Sequence, residues 1–396
     1  MVKKIKKIAI VSCYFQKNYG SVLQALATQK IIDEYGIENV TIRYDGLEPQ
    51  IKKQKYKYYA RQLLNPEIVL GKLGYIKARI LKKIGKSKLS ENMRLRDDAI
   101  KAFERNFRLS PIINSFEELA KFVSTYDAVL VGSDQLWLTS NLDADYYTLN
   151  WVPDGIKRIS YATSFGVSSI PKRYYSFASN FLKKIDSLSV REETGKQIVK
   201  EICGRDASVI CDPTIMFTGE QWLQIQKKEP LYNKKYIFCY FLGDNPNQRD
   251  FVKRLKRATS CDIVAILHLN VYVPSDEDYA DYTPYAVDSA DFINYIRNAE
   301  YICTDSFHAT VFSILNKKKF FTFRRFKANY VLQTNSRLDS LLEAVGLEKR
   351  ILSGDADVQQ WVNAEIDYSR VDEKLHEMRA ANRKFLENAL GIEVHN

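Results

Sequence analysis

The chain has 396 residues, of which 45% are hydrophobic and 27% charged, and its formal net charge is +11. That length points to two domains, and the composition excludes a disordered chain. No apolar run approaches the ~18 residues of a membrane span, and the apolar stretch after the opening lysines is too short for a signal peptide and lacks a small-residue cleavage site. The expectation is a cytosolic protein, with peripheral contact at the inner face of a membrane held open by the charge.

The six cysteines, Cys13, Cys203, Cys211, Cys239, Cys261 and Cys303, form no C-x-x-C pair and mostly sit among apolar neighbours. They read as small buried hydrophobes in a reducing compartment. With four histidines and no close pair, no metal site is expected. The 25 tyrosines and 20 phenylalanines serve as core material, with a few free to act as flat platforms for sugars.

In chain order, Lys7–Tyr14 is an apolar run of strand length, Asn18-Tyr19-Gly20-Ser21 a turn, Val22–Tyr35 a helix stopped by Gly36, and Val40–Tyr44 a strand. Strand, helix and strand at this spacing open a parallel sheet. Residues Ile51–Arg108 carry lysines and arginines interleaved with aliphatics. They predict a largely helical basic insert, either solvent-facing or lying on anionic lipid headgroups. It contains no recognised nucleic-acid module, so nucleic acid is not an expected partner.

The alternation then resumes with a helix capped by Ser115 and strands over Tyr126–Gly132, Lys157–Phe165 and Ile185–Val190. A helix from Glu192 to Cys203 and a short strand over Ala207–Cys211 follow. After Asp212-Pro213 the pattern restarts. Strands are expected at Lys234–Leu242, Asp262–Leu267, Tyr301–Thr304 and Lys319–Phe323, with helices at Asn247–Ser260, Ala290–Asn298 and His308–Leu315 between them. The closing helix, Val371–Leu390, is expected to pack back on the first half. The predicted fold is α/β, two Rossmann-like domains facing a cleft, a GT-B-like arrangement. The domains are 1–215 with the insert 51–108, then 216–370, with 371–396 returning to the first.

Four polar turns fall at strand carboxyl ends, where open α/β sheets bind ligands. In Thr304-Asp-Ser-Phe-His308, His308 opens a helix, whose free N–H groups favour an anion and disfavour imidazolium. It is a candidate base or hydrogen-bond donor, or simply a packed histidine. Arg191, at the end of Ser189-Val190, can clamp a phosphate or carboxylate in two-point fashion, or instead pair with Glu192, Glu193 or Asp212. Asn18 and Gly20 stand at a turn where a ligand can approach backbone N–H groups. The loop Gly132-Ser133-Asp134-Gln135-Leu136-Trp137 groups a hydroxyl, a carboxylate, an amide and an indole, a combination suited to a sugar.

In this ordered set the chain resembles the polysaccharide pyruvyl transferase family. The matching stretches are Asn18-Tyr-Gly-Ser-Val-Leu-Gln-Ala25, Val131-Gly-Ser-Asp-Gln-Leu-Trp137, Ser160-Tyr-Ala-Thr-Ser-Phe-Gly166, Ser189-Val-Arg-Glu-Glu193, Cys211-Asp-Pro-Thr214 and Thr304-Asp-Ser-Phe-His308. The resemblance implies transfer of pyruvate from phosphoenolpyruvate to a sugar as a ketal, with no cofactor and no metal. The acceptor would be a sugar of a surface polysaccharide, such as a capsule or exopolysaccharide, or its lipid-linked precursor. It places the family's histidine on His308 and its strand-end arginine on Arg191. Donor binding is expected from Asn18, Gly20, Ser133, Ser306 and Arg325, and acceptor binding from Asp134, Gln135, Trp137 and Arg337. Branches acting on cell-wall polymers carry Arg-Leu-His where this chain has Ser306-Phe307-His308. One donor-binding arginine is therefore missing, and Arg324, Arg325 and Arg337 are the candidates to replace it. The competing readings are a glycosyltransferase using a nucleotide sugar, and a non-catalytic binding protein on a decayed enzyme scaffold.

Overall fold

The computed structural model describes residues 4–61, 88–267, 273–276, 278–325 and 336–392. The chain divides into two compact units, one of Met1–Leu64, Glu104–Met216 and Leu375–Asn396, the other of Asn65–Phe103 and Phe217–Lys374.

The first unit is built on four parallel strands, β1 (Lys7–Val11), β2 (Glu38–Thr41), β3 (Ala128–Val131) and β4 (Lys157–Ser160), in the order β2-β1-β3-β4. A short parallel pair, β5 (Ser189–Val190) and β6 (Ser208–Val209), extends this sheet through the bridges Ile159–Ser187 and Thr163–Val190. β1 and β3 are buried almost throughout, which explains their continuous apolar runs. The helix after β1 spans Tyr19–Glu34, three residues earlier than the apolar periodicity suggests. The Asn18 side chain accepts the Ser21 N–H and so starts the helix at Tyr19.

The second unit holds five parallel strands, β7 (Tyr236–Tyr240), β8 (Asp262–Ala265), β9 (Tyr301–Thr304), β10 (Lys319–Phe323) and β11 (Ile351–Leu352), in the order β11-β10-β9-β7-β8. Its core joins Ile237, Cys239, Phe251, Cys261, Ile263, Cys303 and Phe321, so three of the cysteines are packing residues. In each sheet the strand order reverses once beside the first strand, between β1 and β3 and between β7 and β9. Those reversals are where such sheets open to ligands.

Sequence patterning missed the helices Tyr175–Lys184 and Ser336–Ala344 and the two-residue strand β11. It also drew several strands too long, because apolar residues continue into buried loops past the last ladder pair. Within the described part of the basic insert, Glu48–Arg61 and Lys88–Phe103 are helical, and residues 62–87 lie outside the described residues. The insert does not belong wholly to the first domain. Met93 packs against Leu267 and Tyr285 of the second unit, and Arg96 donates to the carbonyls of Leu267 and Pro284. The last helix, Tyr368–Leu390, starts in the second unit, where the Tyr368 hydroxyl donates to Lys318 O. Its later part belongs to the first, where Asn382 donates to Cys211 O and Arg379 to Ile215 O.

Candidate functional site

In the first unit the carboxyl ends of β1, β3, β4, β5 and β6 bring together Cys13, Ser21, Ser133, Asp134, Ser164, Arg191, Glu192 and Asp212. Arg191 is the hub. Its side chain is only 3% exposed, and its guanidinium lies 2.7 Å from Asp212, 3.7 Å from Glu192 and 3.8 Å from Asp134. Desolvation pulls the guanidinium pKa down, but the three carboxylates together outweigh it and hold the group above its ordinary range. Each carboxylate has further work. Asp212 accepts from Ser133 Oγ, Thr214 N and Thr214 Oγ1, Glu192 from Ser164 Oγ, and Asp134 from Ser21 Oγ at 2.5 Å and from its neighbour's Gln135 N–H. Arg191 is thus a buried ion-pair centre that ties these turns together, the pairing alternative for this residue.

The same geometry corrects three further expectations. Ser133 is fully buried and its hydroxyl is spent on Ala162 O and Asp212, so it does not face a donor. Asp134, with φ 80, is held in the left-handed region by its contacts to Ser21 and Arg191. Trp137 is 0% exposed, packs against Phe165 and Phe181, and donates its indole N–H to Tyr147 O. A ring enclosed in this way cannot stack on a sugar. Gln135 lies across Gly166, where a Cβ would come within 2.5 Å of its amide nitrogen, so a side chain at Gly166, with φ +68, would be strained and would displace Gln135. Asn18 caps its helix and Gly20 is buried in the first turn. Cys13 is no nucleophile, since burial and the neighbouring Asp134 push its thiol pKa well up.

In the second unit the ends of β7, β9 and β10 converge. Ser306 caps the Phe307–Leu315 helix by accepting the Ala309 N–H, and His308 sits in the first turn, 6% exposed, with its ring edge-on to Phe307 at 5.1 Å. Arg337 also lies over Phe307, with its guanidinium carbon 5.8 Å from the ring centre. Arg325, after β10, is 3.7 Å from Asp305 and donates to Asp305 O. Asp305 itself, which residue patterns had not singled out, accepts the N–H groups of Leu242 and Gly243 and so locks the β7 turn to the β9 turn. A Cβ on Gly243 would meet Asp305 at 3.0 Å and Arg325 at 2.8 Å, so a side chain here would push on both groups. Arg324 lies apart, paired with Asp339 at 2.8 Å on the surface. Of the three candidates for the missing cation, Arg325 and Arg337 therefore share this cluster with His308 and Arg324 does not. Arg337, expected among the acceptor-binding residues, lies beside Phe307 in the second unit.

No group of three His, Cys, Asp or Glu side chains able to hold a metal occurs among the described residues, and no described helix is long and apolar enough to cross a membrane.

Two parallel, Rossmann-like α/β units with polar turns at the sheet reversals define the GT-B-like fold class. Over 98% of its length the chain is similar to a UDP-N-acetylglucosamine 2-epimerase, at 12% identity over 95% of that protein, with a TM-score of 0.53. It is also similar to S. aureus MnaA in a co-structure with UDP, at 14% identity, with 98% of each chain covered and a TM-score of 0.50. At such identities the likeness is one of fold. No curated protein sequence matches the chain. The model of the polysaccharide pyruvyl transferase family matches residues 18–325, and the chain belongs to that family.

Proposed function

We propose that this protein transfers the pyruvyl group of phosphoenolpyruvate onto a sugar of a surface polysaccharide or of its lipid-linked precursor, forming a cyclic ketal. Family membership supports the transferase class. The observation that carries the finer reading is the cluster at the carboxyl edge of the second sheet, where an imidazole and two guanidinium groups gather at a helix amino end. Phosphoenolpyruvate carries a carboxylate and a phosphate, and that cluster supplies cations and N–H donors for both.

The chemistry needs proton transfer in both directions. Two hydroxyls of one sugar form bonds to carbon 2 of the donor, the methylene carbon gains a proton to become methyl, and the bond to phosphate oxygen breaks. Of the two hydroxyl protons released, one balances the methyl group and the other leaves with phosphate. In this proposal His308 moves the proton, and Arg325 and Arg337 hold the acid groups and stabilise the departing phosphate. Arg191 acts through the turns it ties together and is a positioning residue.

Contact with an anionic membrane surface is part of the same proposal. Tyr56 is 65% exposed on the helix Glu48–Arg61, and Lys52, Lys53 and Lys57 stand beside it around an open surface hollow of about 660 Å³. A lipid-linked acceptor would be met at such a surface.

The test is incubation with phosphoenolpyruvate and a panel of simple and lipid-linked glycosides, with the added pyruvyl group detected by mass. Phosphoenolpyruvate, and not a nucleotide sugar, should raise the melting temperature. His308→Ala should fold normally and lose roughly a hundredfold or more in turnover. Stabilisation by a nucleotide sugar alone, or full turnover in His308→Ala, would remove the basis of the proposal.

A further inference from the structure

The turn after β7 is gripped from both sides. Gly243 donates its N–H to Asp305 Oδ2 at 2.8 Å, and its carbonyl accepts from Arg249 Nη2 at 2.8 Å. Arg249 is itself buried, paired with Asp276 at 2.6 Å and laid over the Phe241 ring at 4.6 Å. The turn after β9 is tied to the end of β7 by Thr304, whose hydroxyl donates to Tyr240 O at 2.5 Å and accepts the Ser306 N–H at 3.0 Å. Asp305 stands between these two fixed turns. Its side chain is 0% exposed, and its other oxygen accepts the Leu242 N–H at 2.7 Å.

Arg325, just past β10, leans on this anchor. Its Nε is 3.7 Å from Asp305 Oδ2, and its Nη2 donates to Asp305 O at 3.3 Å. The guanidinium is thus held by the carboxylate and the carbonyl of one residue, while 22% of the side chain stays open. A loose arginine samples many rotamers, and an anion that orders it must offset the loss. A guanidinium already docked on a fixed turn gives up less when it binds. The Asp305 carboxylate does not face such an anion, because it is wholly buried and its oxygens are engaged by Leu242 N–H, Gly243 N–H and Arg325.

We propose that Asp305 is a positioning residue that fixes the Arg325 guanidinium beside the start of the Phe307–Leu315 helix and so sets the affinity for the acid groups of the donor. This role rests on the reading of Arg325 as a donor-binding cation. Two effects of opposite sign decide it. A carboxylate 3.7 Å from a guanidinium offsets its charge, so if Asp305 were only a counter-charge, removing it would tighten the binding of an anion. If Asp305 holds the guanidinium in place, removing its charge lets Arg325 swing and weakens that binding.

Asp305→Asn keeps the side-chain size and deletes the charge. Phosphoenolpyruvate affinity is measured by calorimetry on the wild type, Asp305→Asn, Arg325→Met and the double variant, each shown to be folded by circular dichroism. Asp305→Asn should weaken the donor roughly tenfold, and add nothing further in the Arg325→Met background. A carboxylate with a merely structural role would cause the same loss in both backgrounds. In parallel, phenylglyoxal labelling of the arginines is mapped by mass. Arg325 should react several-fold faster in Asp305→Asn, while Arg324, held by Asp339, reacts as before. Unchanged or tighter donor binding in folded Asp305→Asn, an equal loss in both backgrounds, or unchanged labelling of Arg325 overturns the positioning role. If the wild type binds no phosphoenolpyruvate, the donor reading falls on its own, and the labelling of Arg325 alone decides whether Asp305 holds it. If Asp305→Asn does not fold, Gly243→Ala replaces it, since its Cβ would press on Arg325 at 2.8 Å and on Asp305 at 3.0 Å while leaving every charge in place. The same loss, again absent in the Arg325→Met background, is expected there, and unchanged donor affinity would overturn the role.

Discussion

Replacing Arg191 by Met keeps much of the side-chain volume and deletes the charge. It leaves Asp134, Glu192 and Asp212 facing one another around the former guanidinium, with Asp212 and Glu192 0% and 2% exposed at their side chains. Removing one partner of a buried ion pair costs about 3–5 kcal/mol, since the remaining charge is left uncompensated. For a unit of this size each kcal/mol moves the melting temperature by roughly 2–4 °C, so Arg191→Met should melt about 6–20 °C lower. Because the interaction is mutual, Asp212→Asn should relieve part of the excess negative charge. The double variant should then be more stable than the sum of the two single losses allows, by about 0.5–3 kcal/mol. Urea titration of the four proteins, followed by circular dichroism and tryptophan fluorescence, gives the cycle. If Arg191→Met loses less than about 1 kcal/mol, or the two substitutions add without coupling, the guanidinium is not the centre of the network and the open-clamp reading returns.

Trp137→Ala should cost about 3–5 kcal/mol in urea titration and leave acceptor affinity unchanged in the surviving folded protein, since the indole is core and not platform. Arg337→Met should weaken phosphoenolpyruvate binding roughly ten- to a hundredfold by calorimetry, and Arg324→Met should leave it unchanged because that arginine is engaged by Asp339 on the surface. Neutralising Lys52, Lys53 and Lys57 together should abolish flotation with anionic vesicles and not with neutral ones, and unchanged flotation would end the membrane proposal. The pKa of Lys55 is lowered in the folded chain, so the unfolded chain holds this proton to higher pH. The penalty is complete below the depressed value and is relieved as pH rises toward 10.5. Burial pushes the Cys13 thiol and the Tyr146 and Tyr147 hydroxyls upward, so they do not titrate in that window. Lys55→Met should therefore be more stable than the wild type at pH 7, with the gap narrowing at alkaline pH in urea titrations.

The alternation of apolar strand-length runs with capped helices was enough to establish two parallel α/β halves, because burial on both faces and helical capping are local constraints written in neighbouring residues. Asn18, Ser115, Gly36 and Gly204 mark helix ends by their own chemistry, and the structure uses each as such. The family, too, was legible, since its motifs are short contiguous runs at strand ends. What the sequence could not settle was how each polar side chain is spent. Ser133, Asp134 and Arg191 look equally suited to a ligand or to one another, and only the tertiary structure turns them inward, by bringing Asp134 and Asp212 to Arg191 from separate strand ends. Trp137 reads as a sugar platform until Phe165 and Phe181 close on it. Lys55 is one lysine among many in a basic stretch, and only its place between buried Ile51 and Tyr58 on one face of its helix sets it apart. Strand and helix follow from local sequence, but whether a charged group meets water, a counterion or nothing depends on residues a hundred positions away, and the free energy of a buried charge depends on that partner above all.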